Sequence, residues 1–384
     1  MHRNQTLMFS LESLAIHKFR GLRDVELRDF GRFNVLVGLN NSGKTSVLEA
    51  IATYARPLRP SEWIDVVRRR DNSNSRAVLL EGLRWIFPQQ DERSDKGMFF
   101  AGETKISGNG SIPIREVVAQ FIELEGIFDD NEGDQCRSED GILDIGGVRR
   151  GARLNLKASI EGSQTKLFGG MLRREESFQI DMWEGGRGPI AQNAAGFSLN
   201  VATITPFSHR IHNIDVEALS EADFADTKQT VVDLLQIFDP DIEDLDILKR
   251  PRSEPVIYVR HRRLGKTPLS TFGDGMRRAL TMGANLAMVS GGILLVDEIE
   301  SAIHSAALES TFRWLQEACH NLDVQLFTTT HSLEAVDALI AAGAAPEDLV
   351  VYRLDRRDSN TEVKRFSHDM LRVLREELGQ EIRS

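Results

Sequence analysis

Two cysteines, Cys136 and Cys319, are all that this 384-residue chain contains, and neither has a CxxC or CxxH companion. A disulfide framework and a zinc site are excluded as organising devices, and a reducing cytoplasm is the compartment expected. Long apolar runs are missing as well. No stretch of about 18 apolar residues occurs, and the opening MHRNQTLMFSLESLAIHKFRG has no apolar segment of signal-peptide length, so neither membrane association nor secretion is expected. Basic charge is in deficit. Lys and Arg number 47 against 58 Asp and Glu, a formal net charge of −11, so the molecule repels polyanions and any nucleic-acid surface has to be local. No internal repeat or sustained heptad series occurs, which excludes solenoids and long coiled-coil arms. What is present is ample core material, 41% hydrophobic, in a chain long enough for one large α/β domain or two smaller ones.

FNVLV at 33–37 reads as a short buried strand that feeds into a glycine loop, and SVLEAIATYA from Ser46 places Val47, Leu48 and Ile51 at helical spacing. Pro57 and Pro60 break this pattern, and an insertion with helical stretches around WIDVVRRR and AVLLEGLRWIF begins near residue 59. Residues 117–128, 153–160 and 176–183 alternate apolar and polar side chains, the mark of antiparallel strands with one wet face. Residues 121–144 hold nine acidic residues against the single basic Arg137, and the middle of that stretch reads as a mobile loop. TKQTVVDLLQIF (227–238) is an amphipathic helix stopped by Asp239-Pro240. In the last third, GILLVDE (292–298), SAALESTFRWLQEACH and VQLFTTTHS (324–332) alternate strand, helix and strand, which points to a largely parallel sheet covered by helices.

Gly38-Leu39-Asn40-Asn41-Ser42-Gly43-Lys44-Thr45 satisfies the P-loop pattern GxxxxGK[ST] after a strand and at a helix start. Its glycines let successive backbone N–H groups converge on phosphate oxygens, Lys44 neutralises the β- and γ-phosphates, and the Thr45 hydroxyl ligates Mg²⁺. LLVDE complements it: an apolar strand delivers Asp297 to the metal and Glu298 to an attacking water. Glu300 is either a further support for the metal site or an exposed residue. His331, at the end of the strand expected beside the one bearing Asp297, is placed to bond a γ-phosphate or to serve a structural role. PLSTFGDGMRR (268–278) precedes a helix with two glycines and a serine, able either to offer N–H groups to an anion or simply to cap that helix.

Together these elements resemble the ABC-type ATPases of the RecF, structural-maintenance-of-chromosomes (SMC) and overcoming-lysogenization-defect (OLD) group. The resemblance covers both ends of the chain: IHKFRGLRDVEL, LSTFGDG in the place of the ABC signature, ILLVDEIESAIH as Walker B with its following loop, and FTTTHS as the switch histidine. It implies an α/β P-loop NTPase of ABC/SMC-head type, with a mainly parallel core sheet, an antiparallel β subregion and a helical insertion. The implied domains are an N-terminal ATPase lobe at 1–58, an insertion at 59–245 and a C-terminal ATPase lobe at 246–384. The cofactors it implies are ATP and Mg²⁺. Glu298, His331 and Lys44 take the catalytic roles, and Thr45 and Asp297 the metal. Nucleotide falls to Gly38, Asn40, Asn41, Ser42, Gly43, Lys44, Thr45, Ser46, Arg20, Ser270, Gly273 and Gly275. The signature departs from LSGGQ by its Thr-Phe and its Asp, and the Q-loop glutamine is open among Gln89, Gln90 and Gln120.

The implied assembly is a homodimer or higher homo-oligomer with ATP sandwiched between heads. The segment after His331 is too short for a nuclease domain, so an OLD-like phage-defence ATPase here would act through a separate effector protein, a nuclease or toxin. A RecF-like DNA-repair clamp is the alternative, and a transporter subunit is least favoured. DNA is a further candidate partner: KRPRSEPVIYVRHRRLGK (249–266) holds seven Lys or Arg against one Glu, and Arg68-Arg69-Arg70 is a second run. The acidic DPDIEDLD just before the first cluster offers a rival use for its charge.

Overall fold

The buried run FNVLV forms the middle of a six-stranded sheet, as its lack of a wet face requires. The computed structural model describes residues 10–70, 75–89, 99–127, 148–165, 171–185, 196–211, 222–248, 256–343, 345, 348–357, 360–377 and 379–382. Two compact units result: Met1–Ser13, Leu27–Leu48 and Leu199–Ser384 make the first, and Leu14–Glu26 with Glu49–Ser198 the second. The middle of the acidic stretch (128–144), Gln90 and the first half of the basic cluster (249–255) lie outside the described residues.

In the first unit, β3 (Phe33–Val37) pairs in parallel with β13 (Gln325–Thr329) on one side and β14 (Leu349–Arg357) on the other. Beyond β13 lie β12 (Ile293–Val296) and β8 (Val201–Ile204), also parallel, while β15 (Asn360–Ser367) closes the other edge antiparallel to β14. The core sheet is thus mainly parallel. Asn34, the polar residue within FNVLV, is fully buried and satisfied: its amide nitrogen donates to the carbonyls of Gly31 (2.8 Å) and Leu326 (3.2 Å). Helices α6 (Asp274–Met288), α7 (Ser305–Asn321) and α8 (Leu333–Ala341) share one core with the sheet, where Met282, Phe312 and Val336 pack with Val35, Leu294 and Val351. After the short α4 (Ser208–Ile211), a satellite core joins Leu234 and Leu235 of α5 (Ala222–Phe238) and Leu280 of α6 to Val259 in the antiparallel sheet of β9 (Ile242–Leu248), β10 (Val256–His261) and β11 (Gly265–Pro268).

The second unit holds the sheet β2-β1-β4-β5-β6-β7, built on β1 (Leu11–Phe19), β2 (Leu22–Arg28), β4 (Ala101–Gly110), β5 (Ile114–Ile127), β6 (Val148–Thr165) and β7 (Met171–Trp183). The three alternating segments read from the sequence are β5, β6 and β7, paired antiparallel throughout. The helical stretches after Pro60 are α2 (Pro60–Arg68) and α3 (Arg76–Arg84), and Trp63, Phe87 and Phe121 stack with centroid separations of 6.2 and 5.5 Å.

The units divide the chain at places other than residues 58 and 245. The second unit takes up Leu14–Glu26 and begins again at Glu49, inside α1 (Lys44–Ala55), and the chain returns to the first unit at Leu199. That early return follows from β8, whose residues Val201 to Ile204 sit opposite Ile293 to Val296 of β12. A four-residue strand carries no periodicity from which its partner could be read.

Candidate functional site

The P-loop occupies the turn between β3 and α1. Gly38 has φ +143°, and a Cβ there would lie 2.5 Å from the Leu354 carbonyl oxygen and 2.9 Å from Ser42 Oγ, so only glycine fits. Gly43 (φ +99°) and Asn41 (φ +67°) carry the rest of the left-handed turn, and asparagine tolerates that region better than most residues. Lys44 lies across the loop, its Nζ donating to the carbonyls of Gly38 (2.8 Å) and Leu39 (2.9 Å). Partial burial pushes its pKa down, against the pull of Asp297, Glu298 and Glu300. Ser42 Oγ is buried without a hydrogen-bond partner, an orphaned polar atom inside the cradle.

Four buried residues of β12 deliver Asp297 to the loop. Thr45 Oγ1 donates to this carboxylate, 3.0 Å from Oδ2 and 3.2 Å from Oδ1, and Thr329 Oγ1 lies 2.6 Å from Oδ1. A hydroxyl and a carboxylate meeting this closely are a hard oxygen donor pair suited to Mg²⁺, and the glycine cradle with the orphaned Ser42 hydroxyl suits phosphate oxygens; the residues present fit both groups. Glu298 follows with φ +48°, and its pKa is raised chiefly by desolvation and further by Asp297, with His331 opposing. His331 Nδ1 lies 3.9 Å from Glu298 Oε1 and 3.3 Å from Glu300 Oε1, and the His331 amide donates to the same Glu300 oxygen at 3.2 Å. The structure therefore gives Glu300 a defined place: it holds His331.

Ser270 lies in a 3₁₀ turn, Leu269–Thr271, and Gly273 is the N-cap of α6; both are exposed. Gly275 touches the loop after Walker B, where an added Cβ would lie 3.0 Å from the Ala302 carbonyl oxygen. Asp274 is paired with Arg210.

Arg278, one turn further along, escaped the sequence reading. It is fully buried and donates to the carbonyls of Thr205, Asp297 (3.0 Å) and Glu298 (3.1 Å). Burial pushes its pKa down to about 10, so it remains charged at neutral pH. Helix α6 is thus tied to the backbone of Asp297 and Glu298.

Arg20, expected among the nucleotide ligands, belongs to the second unit, where its Nε donates to Glu49 at 2.7 Å and Arg70 grips the same buried carboxylate at 2.7 Å. Of the Q-loop candidates in that unit, Gln89 caps the end of α3 through the carbonyls of Arg84 and Phe87, and Gln120 donates to Glu103.

Among the described residues, the basic clusters are largely spoken for. Arg68 pairs with Asp65 (3.6 Å) and Arg69 with Glu62 (2.8 Å). In the hairpin β10–β11 and its turn, Arg260 pairs with Asp246 (3.2 Å), Arg262 with Glu243 (3.4 Å), Arg263 with Asp241 and Lys266 with Asp246 (2.8 Å). The acidic strand β9 and Asp241 just before it are their counter-charge. One further cluster, Asp239, Asp241 and His261, staples this turn. His261 Nδ1 accepts from the amides of Arg263 and Leu264, so Nε2 carries the proton and donates to Asp239 (3.1 Å) rather than to a metal.

Residues 200–337 match the family described as "AAA domain, putative AbiEii toxin, Type IV TA system". The uncharacterized protein MJECL11 of Methanocaldococcus jannaschii is 34% identical over 114 residues, which are 29% of this chain and 98% of that protein. The DNA replication and repair protein RecF of Rickettsia felis is 28% identical over 138 residues, 35% of this chain and 38% of RecF, so the chain spans under two fifths of that relative. Among solved structures, an SMC head bound to the C-winged helix domain of ScpA aligns with 12% identity and a TM-score of 0.47 over 93% of this chain and 97% of that one. The SMC head domain from Thermotoga maritima aligns with 12% identity and a TM-score of 0.41 over 93% and 98%. No helix among the described residues is long and apolar enough to cross a membrane.

Proposed function

This chain belongs to one family with MJECL11 and is an ABC/SMC/RecF-like P-loop ATPase, and from that premise we propose that it binds and hydrolyses ATP with Mg²⁺. The observation that carries the proposal is the node at Asp297, where the P-loop threonine and a strand-end carboxylate lie 3.0 Å apart beside Lys44 and Glu298. Bound Mg²⁺ would neutralise phosphate charge as it transfers. Lys44 would exchange the carbonyls of Gly38 and Leu39 for phosphate oxygens, and Thr45 with Asp297 would hold the metal. Glu298 takes the proton of the attacking water, and His331, steadied by Glu300, donates to the phosphoryl oxygens. Lys44→Ala should abolish nucleotide binding, and Glu298→Gln should bind ATP but lose about 10²- to 10⁴-fold in rate. A Glu298→Gln variant hydrolysing at the parental rate refutes the assignment.

The finer reading is that two heads associate on ATP through Ser270, Gly273 and Gly275, and that the assembly controls a separate nuclease or toxin in phage defence. The matching family's description, "putative AbiEii toxin, Type IV TA system", supports a toxin–antitoxin setting, and charge supports the dimer: each nucleotide carries about four negative charges that neither surface could bury alone. Light scattering of Glu298→Gln with and without Mg-ATP tests it, and an unchanged mass removes nucleotide as the glue. The RecF relatives favour the second reading, a DNA-repair clamp, which predicts ATP-dependent retention on duplex DNA by the chain alone.

A further inference from the structure

Thr329 is the last residue of β13 and is 1% exposed. Its hydroxyl has one hydrogen to give and lone pairs with which to accept. The hydrogen goes to Asp297 Oδ1 at 2.6 Å, and the oxygen accepts the Glu298 N–H at 2.8 Å. The Thr329 carbonyl then accepts the Ile299 N–H at 3.1 Å. One residue therefore binds three successive residues of the turn that follows β12.

That turn needs an outside restraint. Glu298 sits at φ +48°, a left-handed conformation costing roughly 1–2 kcal/mol for a residue with a Cβ. The neighbouring threonines are engaged elsewhere: the Thr328 hydroxyl donates to the Val296 carbonyl (2.8 Å), and the Thr330 hydroxyl accepts the Ser332 N–H (3.0 Å). Of the run Thr328-Thr329-Thr330, Thr329 is the member whose hydroxyl reaches both site residues.

We propose that Thr329 is the positioning residue of this site, turning Asp297 so that Oδ2, the oxygen nearer Thr45, is left for the metal, and fixing the peptide that aims Glu298. The Thr45 hydroxyl also donates to Asp297, but it is the group expected to turn to the metal. Thr329 is then the hydroxyl donor that stays with Asp297 in both conditions. The inference rests on the ATPase reading above and adds a residue to it. Groups that orient a metal ligand from behind typically cost 10- to 100-fold in metal affinity or activity when removed.

Thr329→Val keeps the shape and removes the hydroxyl, and Thr329→Ser keeps the hydroxyl and removes a methyl. Two readouts independent of turnover apply. The first is Mn²⁺ affinity by calorimetry in the presence of a non-hydrolysable ATP analogue. The second is hydrogen exchange of the Glu298 amide without nucleotide. Val should weaken Mn²⁺ binding about 10- to 100-fold and speed exchange at Glu298 about tenfold or more, while Ser stays within about threefold of the parent on both. If Val does not yield folded protein, Thr329→Cys, of similar size but a weak donor, carries the same expectation. Parental Mn²⁺ affinity and exchange in the Val variant overturn the inference alone, as does a Ser variant as impaired as Val, which would mark packing of the methyl. A parent chain that binds no Mn²⁺–nucleotide overturns the ATPase reading and the inference with it.

Discussion

Replacing Arg278 by methionine tests whether α6 holds the backbone of Asp297 and Glu298. Methionine fills similar space but donates nothing: the Asp297 carbonyl loses its donor, while the carbonyls of Thr205 and Glu298 keep only the N–H of Ser208 (3.2 Å) and of Ser301 (2.9 Å). A hydrogen bond from a charged donor is worth about 1.5–3 kcal/mol, giving a gross loss of roughly 4–9 kcal/mol for three. Against this stands relief from burying a guanidinium, an effective several kcal/mol per ion, so the net loss expected is about 2–4 kcal/mol. A loss of that size is a large part of a typical stability of about 5–15 kcal/mol. With a urea slope of about 1–3 kcal/mol/M it moves the unfolding midpoint by about 0.7–4 M. Arg278→Lys keeps the charge without the planar fork that reaches three acceptors, and should fall between. Urea unfolding of the nucleotide-free chain measures the first effect, and the ATPase rate the second, because two of the carbonyls belong to Asp297 and Glu298. A methionine variant with a midpoint within about 0.3 M of the parent and an unchanged rate would sink the argument.

Two further outcomes follow from the geometry. Gly38→Ala should fail to bind nucleotide in a fluorescent-analogue titration, since its Cβ would meet the Leu354 carbonyl at 2.5 Å at a positive φ; binding within about threefold of the parent contradicts this. The nucleotide-free chain should show no retention on duplex DNA tighter than about 10⁻⁶ M at physiological salt, because β9 and Asp241 neutralise the hairpin's basic residues; tighter binding that Arg262→Ala and Arg263→Ala weaken contradicts the neutralisation.

The chemistry-bearing segments were legible because each couples a residue pattern to a period. ILLV is a continuous apolar run and FNVLV is apolar but for the buried Asn34, as strands covered on both faces allow, and the GxxxxGK[ST] letters fall where β3 gives way to α1. The alternation in β5, β6 and β7 announced an antiparallel sheet with one wet face. Strand partnership was not legible. The opening β1–β2 hairpin turns at Arg20, which takes φ +49° beside Gly21, and its place next to β4 depends on pairing that no local pattern encodes. The same holds for β8, whose four residues complete a sheet begun far away in sequence.

Within the site, the residues that the sequence reading found are those whose chemistry is fixed by type: a lysine and threonine behind glycines, and two carboxylates after an apolar strand. Those it missed act through geometry instead. A threonine inside TTT looks like ordinary β-propensity, and Thr329 differs from Thr328 only because the turn after β12 presents an N–H and a carboxylate to that register position. Arg278 sits in MRRALTM, where an arginine normally lies on a solvated face; that it is fully buried follows from three carbonyls converging from β8 and β12, which only the assembled sheet brings together. Arg20 shows the converse. Its type suits an anion, but Glu49, buried on the far side of α1's first turn in sequence, is the anion it meets. Residue type therefore selects what a side chain can bind, and the tertiary partner decides which of the available ligands it takes.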